Sequence, residues 1–509
     1  MQLGFVIDHS RCIGCHACTV ACKSENNVPL GSFRTWVKYT EKGSFPAVKR
    51  SFAVLRCNQC TQPPCVDICP VRALEKRPDG IIDVDPDRCI GCKSCLQGCP
   101  YDALYINEDS GTAEKCHFCA HRTEVGLAPA CAVVCPTEAI IPGDVHDPGG
   151  VLGQLREEYD LQVRKPEAET GPNVFYREVD SAGISPQETS GATGYHWAER
   201  QGGSPLRAEL FEALEDRAEA RTVYDVDHAP AWGWKVSAYL FTKSISGGAW
   251  LVFLPFFLGW MSLGTVDSRL FSLMAASLGL LFLGLTTVLL VADLRRPSRF
   301  LYVVFKANWT SWLSRGALAL MGYGGLLTAV MALGFLKQSL PTGLALVTGF
   351  AGAMCAMYTA WLFGQAKGRV FWLRRGLAAH LFAQAMVAGA ASCLVVVSVS
   401  GWDSVLMVGL ARLLQGSLGI HLVLTLFEAR MAPRGREAEY ARVARLVSHG
   451  PYARRHWGVG ILLGGILPGV VLCLSVTPLI GVVAGLAALV GLASEEDVLV
   501  RAGQALPIS

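Results

Sequence analysis

A chain of 509 residues is too long for one ordinary hydrophobic core, and at 51% hydrophobic and 17% charged it falls below the roughly 25% charged residues of soluble domains, which points to a membrane. The formal net charge of +3 is small, and no basic run is interleaved with aromatics, which argues against a nucleic-acid module. Sixteen of the 19 cysteines lie between Cys12 and Cys135, in repeats too tight for separate disulfide bridges and too crowded for paired zinc knuckles.

The amino terminus, Met1 to Asp8, carries no basic segment, no apolar run and no twin arginine before the first cysteine, so a signal peptide is not expected. From there the cysteines fall into four groups. Group one is Cys12, Cys15, Cys18 and Cys22; group two is Cys57, Cys60, Cys65 and Cys69; group three is Cys89, Cys92, Cys95 and Cys99; group four is Cys116, Cys119, Cys131 and Cys135. Group three has the spacing that ligates a [4Fe–4S] cubane, with its fourth cysteine reaching a second cubane. Groups two and four carry insertions at 61–64 and 120–130, and Pro70, Pro100 and Pro136 follow their groups directly, whereas Lys23 follows group one. Strand-like pieces such as Ile81 to Val84 and a short helix after Cys18 predict an α+β ferredoxin-like poly-cluster domain held partly by its metal.

These four groups, ending in Pro172-Asn173-Val174-Phe175-Tyr176, resemble the four-cluster electron-transfer subunit of molybdopterin oxidoreductases such as dimethyl sulfoxide, polysulfide and tetrathionate reductases. The resemblance covers about the first third of the chain. It implies that group one pairs with group four and group two with group three. One cluster would take Cys12, Cys15, Cys18 and Cys135, and its neighbour Cys116, Cys119, Cys131 and Cys22. A third would take Cys57, Cys60, Cys65 and Cys99, and the last Cys89, Cys92, Cys95 and Cys69. Relatives that replace one group-three cysteine hold a three-iron cluster there; this sequence keeps it, which implies four [4Fe–4S] clusters.

The cluster domain is expected over 1–176. Over 177–230 the composition shifts to Gly, Ser, Pro, Glu and Arg, which reads as a linker with one amphipathic helix near 206–219. Over 231–509, after the interfacial pair Trp232 and Trp234, an all-α polytopic membrane domain is expected. Its eight spans are placed near 237–260, 269–292, 311–335, 341–364, 377–400, 404–427, 457–476 and 478–494, each near the roughly 20 residues that cross a bilayer. Gly460 with Gly464, and Gly465 with Gly469, are spaced for close helix approach. This half resembles the NrfD-like quinone-interacting membrane subunits, in the stretches Trp232-Gly233-Trp234-Lys235, Tyr239 to Ser244, and Asp293-Leu294-Arg295-Arg296-Pro297-Ser298-Arg299-Phe300. Relatives of the two halves usually occur as separate subunits; here they are fused.

Ionisable groups within spans are costly and mark candidate function. Lys243, Arg315, His380, His421 and Glu428, with Asp293 at a helix end, fall near the cluster-facing side; Gln384 shares a face with His380, and Arg412 enters from the opposite side. Lys243, Asp293, Arg315, His380, Gln384, Arg412 and His421 are the quinone or proton-path candidates, against the plainer role of interhelical hydrogen bonds or snorkelling ends. No catalytic residue is assigned, and no pattern of facing histidines forces haem ligation. Cys355, Cys393 and Cys473 read as packing residues.

The expected function is an electron-transfer and quinone-linked anchor subunit of a respiratory oxidoreductase complex. It would link a separate catalytic subunit, a molybdopterin enzyme by resemblance, with menaquinone or ubiquinone. The same module in a hydrogenase or quinol-oxidising complex, or a redox-driven ion-translocating subunit, is the alternative. With eight spans, the loops on the cluster side hold fifteen basic residues against two, Arg269 and Lys337, on the other. That asymmetry predicts a cluster domain on the cytoplasmic side of a bacterial or archaeal inner membrane. The resemblance offers the periplasmic side instead, reached through a partner's twin-arginine signal.

Overall fold

A computed structural model describes residues 1–43, 46–190 and 220–509. In the cysteine-bearing half, each group is punctuated by a short hairpin or a strand. Strand β1 (Leu3–Asp8) precedes group one, and β2 (Thr35–Lys42) and β3 (Lys49–Arg56) form a hairpin between groups one and two. The hairpin β4 (Leu74–Lys76) and β5 (Ile82–Val84) separates groups two and three, and β6 (Leu104–Ile106) with β7 (Ala113–Lys115) separates groups three and four. Strand β8 (Ile140–Asp144) follows group four and runs antiparallel to β1, whose other edge pairs in parallel with β9 (Val174–Arg177). Closing β8 on β1 brings the last group beside the first, and the β4–β5 hairpin folds group three back onto group two.

The reading of 177–230 as a linker needs correction at both ends. Gly183 lies against Ala53, Lys42 pairs with Asp180 at 2.7 Å, and β10 (Thr189–Ser190) and β11 (Ala220–Tyr224) extend the β2–β3 sheet. The buried residues there, Val179, Ile184 and Val226, are too sparse to leave a periodic signal. The amphipathic helix expected near 206–219 lies outside the described residues.

The second half has eight helices long and apolar enough to cross a membrane: Trp234–Phe257, Ser268–Asp293, Trp312–Phe335, Thr342–Gly364, Leu377–Ser400, Ser404–Leu426, Arg454–Leu474 and Pro478–Gly503. Helix crossings use glycine where backbones meet. Gly248 of the first span lies against Ala385 and Gly389 of the fifth, and Gly464 of the seventh meets Gly491 of the eighth, with no room for a Cβ at either crossing. Gly469 faces open space and takes no part. The eighth span runs nine residues past the expected end at 494. The acidic run Glu495, Glu496 and Asp497 within it is tolerated because each carboxylate has a partner. Glu495 lies 3.1 Å from His456, Glu496 accepts from Ser244 at 2.9 Å, and Asp497 pairs with Arg455 and Arg501.

The halves meet over a continuous face. The cluster domain contacts the loops after the second, fourth and sixth spans, and Gln504 beyond the eighth accepts from Gln97 of the cluster domain and donates to Trp232 O.

Candidate functional site: four cysteine groups docked on a membrane bundle

The local fold around each group is one turn used repeatedly. The residue before the second cysteine is left-handed in all four groups: Gly14, Gln59, Gly91 and Phe118. This curls the loop around its sulfurs and aims backbone N–H groups inward, a nest suited to an anionic centre. After the fourth cysteine of groups two, three and four comes Cys-Pro-x-x-Ala, with Arg72, Asp102 and Glu138 left-handed at the fourth position. The alanine that follows donates its N–H to the cysteine sulfur, at 3.3 Å for Ala73 to Cys69 and 3.2 Å for Ala139 to Cys135. Group one lacks the proline for a physical reason: α1 (Ala17–Glu25) runs straight through Cys18 and Cys22, where a proline at Lys23 would remove a hydrogen bond and break the helix. Lys23 instead reaches the carbonyls of Pro29 and Ser32.

The sulfurs of different groups lie within electrostatic reach of one another. Cys12 is affected by Cys135 and Cys15; Cys22 by Cys116, Cys131 and Cys119; Cys65 by Cys99, Cys57 and Cys60; and Cys92 by Cys69 and Cys89. Cys18 is also influenced by Cys131, Cys57 by Cys116 and Cys95 by Cys65. Burial, reinforced by the neighbouring sulfurs, pushes the Cys18 and Cys99 thiols up to about 11 and Cys92 up to about 12. Burial and crowding of this kind disfavour the thiolates unless a bound cation compensates their charge.

Arg56, which sequence reasoning passed over, fits the same chemistry. It is fully buried, its Nη1 donates to Cys131 Sγ at 3.2 Å, it stacks on Phe5 at 4.5 Å, and Nε and Nη2 find no hydrogen-bond partner among the described residues. A buried guanidinium is costly without a counter-charge, and thiolates holding an anionic iron–sulfur group would supply one. Its signal was its position, one residue before Cys57 on β3.

Group three and Cys69 lie against the membrane half. The backbone N–H groups of Arg295 and Arg296 donate to the carbonyls of Gly91 and Ile90 at 3.3 and 3.2 Å, and Trp232 Nε1 donates to Cys92 O at 3.3 Å. Asn308 Nδ2 reaches Cys69 O at 2.9 Å, Ser311 Oγ reaches Ile68 O at 2.8 Å, and Lys93 pairs with Asp293 at 2.9 Å. Gly91 has no Cβ because Arg295 and the carbonyl of Gly111 occupy that space, and Gly368 sits equally close to the carbonyl of Cys99. The tryptophan and Asp293-to-Phe300 motifs of the membrane half are thus the docking elements for this loop. Group one is at the other extreme: Cys15 is exposed, beside exposed Ile13 and Val20.

The candidate residues of the membrane half do not converge on one point. Asp293 belongs to the docking face through Lys93. Arg315 is exposed, donates to Trp309 O at 2.6 Å and stacks on Trp312, so it is a snorkelling end. Arg412, placed deep by sequence, is exposed on the sixth span because its helical face points away from the bundle. Lys243 is fully buried and donates to Ala356 O at 2.9 Å and Thr359 Oγ1 at 2.6 Å; its neighbour Ser244 holds Glu496, whose other oxygen has no partner among the described residues. His380 and His421 do meet, with ring centroids 5.0 Å apart, and His380 Nδ1, His421 Nδ1 and Gln384 Oε1 are buried without a partner among the described residues. Glu428 pairs with Arg374 and Tyr440 at the cluster-facing surface. Missed by sequence were His456, Glu495 and Glu496, which lay outside the expected span limits.

Residues 48–145 match the family described as a 4Fe-4S dicluster domain, and residues 225–507 match the family described as polysulphide reductase, NrfD. A tetrathionate reductase subunit of Salmonella typhimurium is 45% identical over 36% of this chain and 76% of its own length. Arsenate respiratory reductase iron-sulfur subunit ArrB of a Shewanella strain is 36% identical over 35% of this chain and 96% of its own. A polysulfide reductase polypeptide of Wolinella succinogenes is 36% identical over 34% of this chain and 93% of its own. All three cover only about a third of this chain, which also holds the NrfD match and eight helices long and apolar enough to cross a membrane. This protein belongs to the polysulphide reductase NrfD family, fused behind a 4Fe–4S electron-transfer domain like the iron–sulfur subunits of those reductases.

Proposed function

We propose that this chain is the electron-transfer and membrane-anchor subunit of a respiratory oxidoreductase complex, working between a separate molybdopterin catalytic subunit and the membrane quinone pool. In this reading the four sets are Cys12, Cys15, Cys18 with Cys135; Cys116, Cys119, Cys131 with Cys22; Cys57, Cys60, Cys65 with Cys99; and Cys89, Cys92, Cys95 with Cys69. Four [4Fe–4S] cubanes bound there would supply a line of one-electron carriers. The observation that carries the proposal is the docking of Cys69 and the Ile90-to-Cys92 loop on Asn308, Arg295, Arg296 and Trp232 of the membrane half, with Cys15 of group one exposed.

The protein's own residues divide the work. Arg56 and the inward backbone N–H groups stabilise negative charge on the thiolates. Exposed Ile13, Val20 and Val133 offer an apolar surface near the first set to the catalytic partner. A quinone headgroup needs hydrogen-bond donors at its carbonyls and a source or sink for two protons. Lys243 with Glu496, and His380 with His421 and Gln384, carry unsatisfied buried polar atoms suited to both tasks. The basic excess of the cluster-side loops supports a cytoplasmic cluster domain, although Arg296, Arg299 and Arg369 of that count bond the cluster domain directly.

Anaerobic purification of the full chain tests the proposal. About sixteen iron atoms per chain, with four-iron spectra on reduction and a molybdenum-containing partner co-purifying, are expected. Iron near twelve, or a three-iron signal, would refute four cubanes; a nickel-containing partner would transfer the module to a hydrogenase.

A further inference from the structure

Between the sixth and seventh spans the surface helix Glu437–Ser448 has three faces. Tyr440, Val443, Leu446 and Val447 point into the membrane half, and Arg442 bonds Gln187 of the cluster domain. The third face, with Arg375 and Arg430, borders a cavity of about 670 Å³. Three arginines line this cavity, Arg375, Arg430 and Arg445, all exposed, and none makes an ion pair among the described residues. One carboxylate, Glu437, lines it as well and accepts from Gly435 N at 3.1 Å.

The position of the cavity identifies what would enter it. Arg430 stacks on Phe427 at 5.1 Å, one residue beyond the end of the sixth span, and both Phe427 and Leu426 are exposed. Trp457, 43% exposed near the start of the seventh span, donates its indole N–H to Ser448 O, at the far end of the cavity. Half-exposed Phe and Trp at span ends mark the headgroup level of a bilayer. Three guanidinium groups beside a single carboxylate, forked for bidentate contact at headgroup level, suit the phosphate of an anionic lipid better than a neutral headgroup.

We propose that this cavity binds the phosphate of an anionic phospholipid, seated between Arg375, Arg430 and Arg445 with its acyl chains along Leu426 and Phe427. The site is separate from the cysteine groups and from the buried histidines, and it ties the loop that carries Glu428 and Tyr440 to the membrane surface.

The test uses the full chain, iron-loaded, in nanodiscs of phosphatidylcholine containing a few per cent phosphatidylglycerol or cardiolipin. Lipid retained after delipidation is quantified by mass spectrometry. Arg430→Gln and Arg445→Gln should each lower retained anionic lipid about fivefold without changing phosphatidylcholine retention. Iron content and thermal unfolding verify folding of each variant, and Lys337→Gln, on the opposite side, should change nothing. Equal retention in wild type and variants would overturn the proposal. Displacement of the lipid by millimolar inorganic phosphate would also overturn it, because the site would then be one for free phosphate.

Discussion

The two halves solve the problem of buried polarity in opposite ways. The cluster half packs its cysteines and buried cations such as Arg56 and Lys115 among apolar residues including Phe5, Trp36, Phe118 and Tyr101, and part of its cohesion is expected from the metal those cysteines hold. The membrane half buries Lys243 and Glu496 against partners on other helices, leaves His380 Nδ1 and His421 Nδ1 without one among the described residues, and draws its cohesion from glycine crossings and apolar packing. One half is therefore expected to fail on loss of metal, the other on loss of shape.

The largest effect should come from iron. Removing it by chelation under oxidising conditions is expected to abolish the folded signal of residues 1–177, measured by protease resistance, while the membrane helices keep their circular dichroism. Simultaneous loss of both would show that the halves fold as one unit. A second intervention addresses shape alone. Gly491→Leu, placed against Gly464, should destabilise the membrane half by about 2 kcal/mol or more through overpacking, lowering its thermal midpoint in detergent with iron content unchanged.

Smaller effects probe the boundary between the halves. Asp293→Ala leaves the part-buried Lys93 without its carboxylate and should weaken docking by about 1 kcal/mol, read as faster cleavage of the loops around residue 296. Arg56→Leu keeps an apolar fill but removes a buried positive charge beside Cys131. The potential of the nearest cluster should fall, by an amount on the order of 100 mV, in a redox titration followed by electron paramagnetic resonance. An unchanged potential would mean that Arg56 packs on Phe5 and does no more.

The same contrast explains what could be read from the sequence. Cysteine spacing is local, so the four groups were legible residue by residue, as were the strand-like piece near Ile82–Val84 and the short helix after Cys18, whereas the hairpins between the groups were not. Apolar length is also local, so the spans were legible, apart from the eighth. There the helix continues through Glu495, Glu496 and Asp497 because His456, Ser244 and Arg455 meet them from other helices, partners that no local pattern reveals. What was not legible is the pairing of polar residues across helices. Arg315 and Arg412 have the same sequence character as Lys243, and only helix rotation sends the first two outward. The basic loops carried a double signal: Arg296, Arg299 and Arg369 count towards topology, yet each bonds the cluster domain. An amino-terminal reporter fusion separates these, with cytoplasmic activity expected from loop charge and periplasmic activity expected if docking alone explains the arginines.

The central claim is that the set closed by Cys69 is the station next to the membrane. Its most direct test is the reoxidation of the dithionite-reduced full chain by a water-soluble quinone analogue, followed in wild type and Cys69→Ser by stopped-flow absorbance. The account predicts a variant with three intact clusters, about twelve iron atoms, whose remaining clusters stay reduced far longer than in wild type. Reoxidation at the wild-type rate would contradict it.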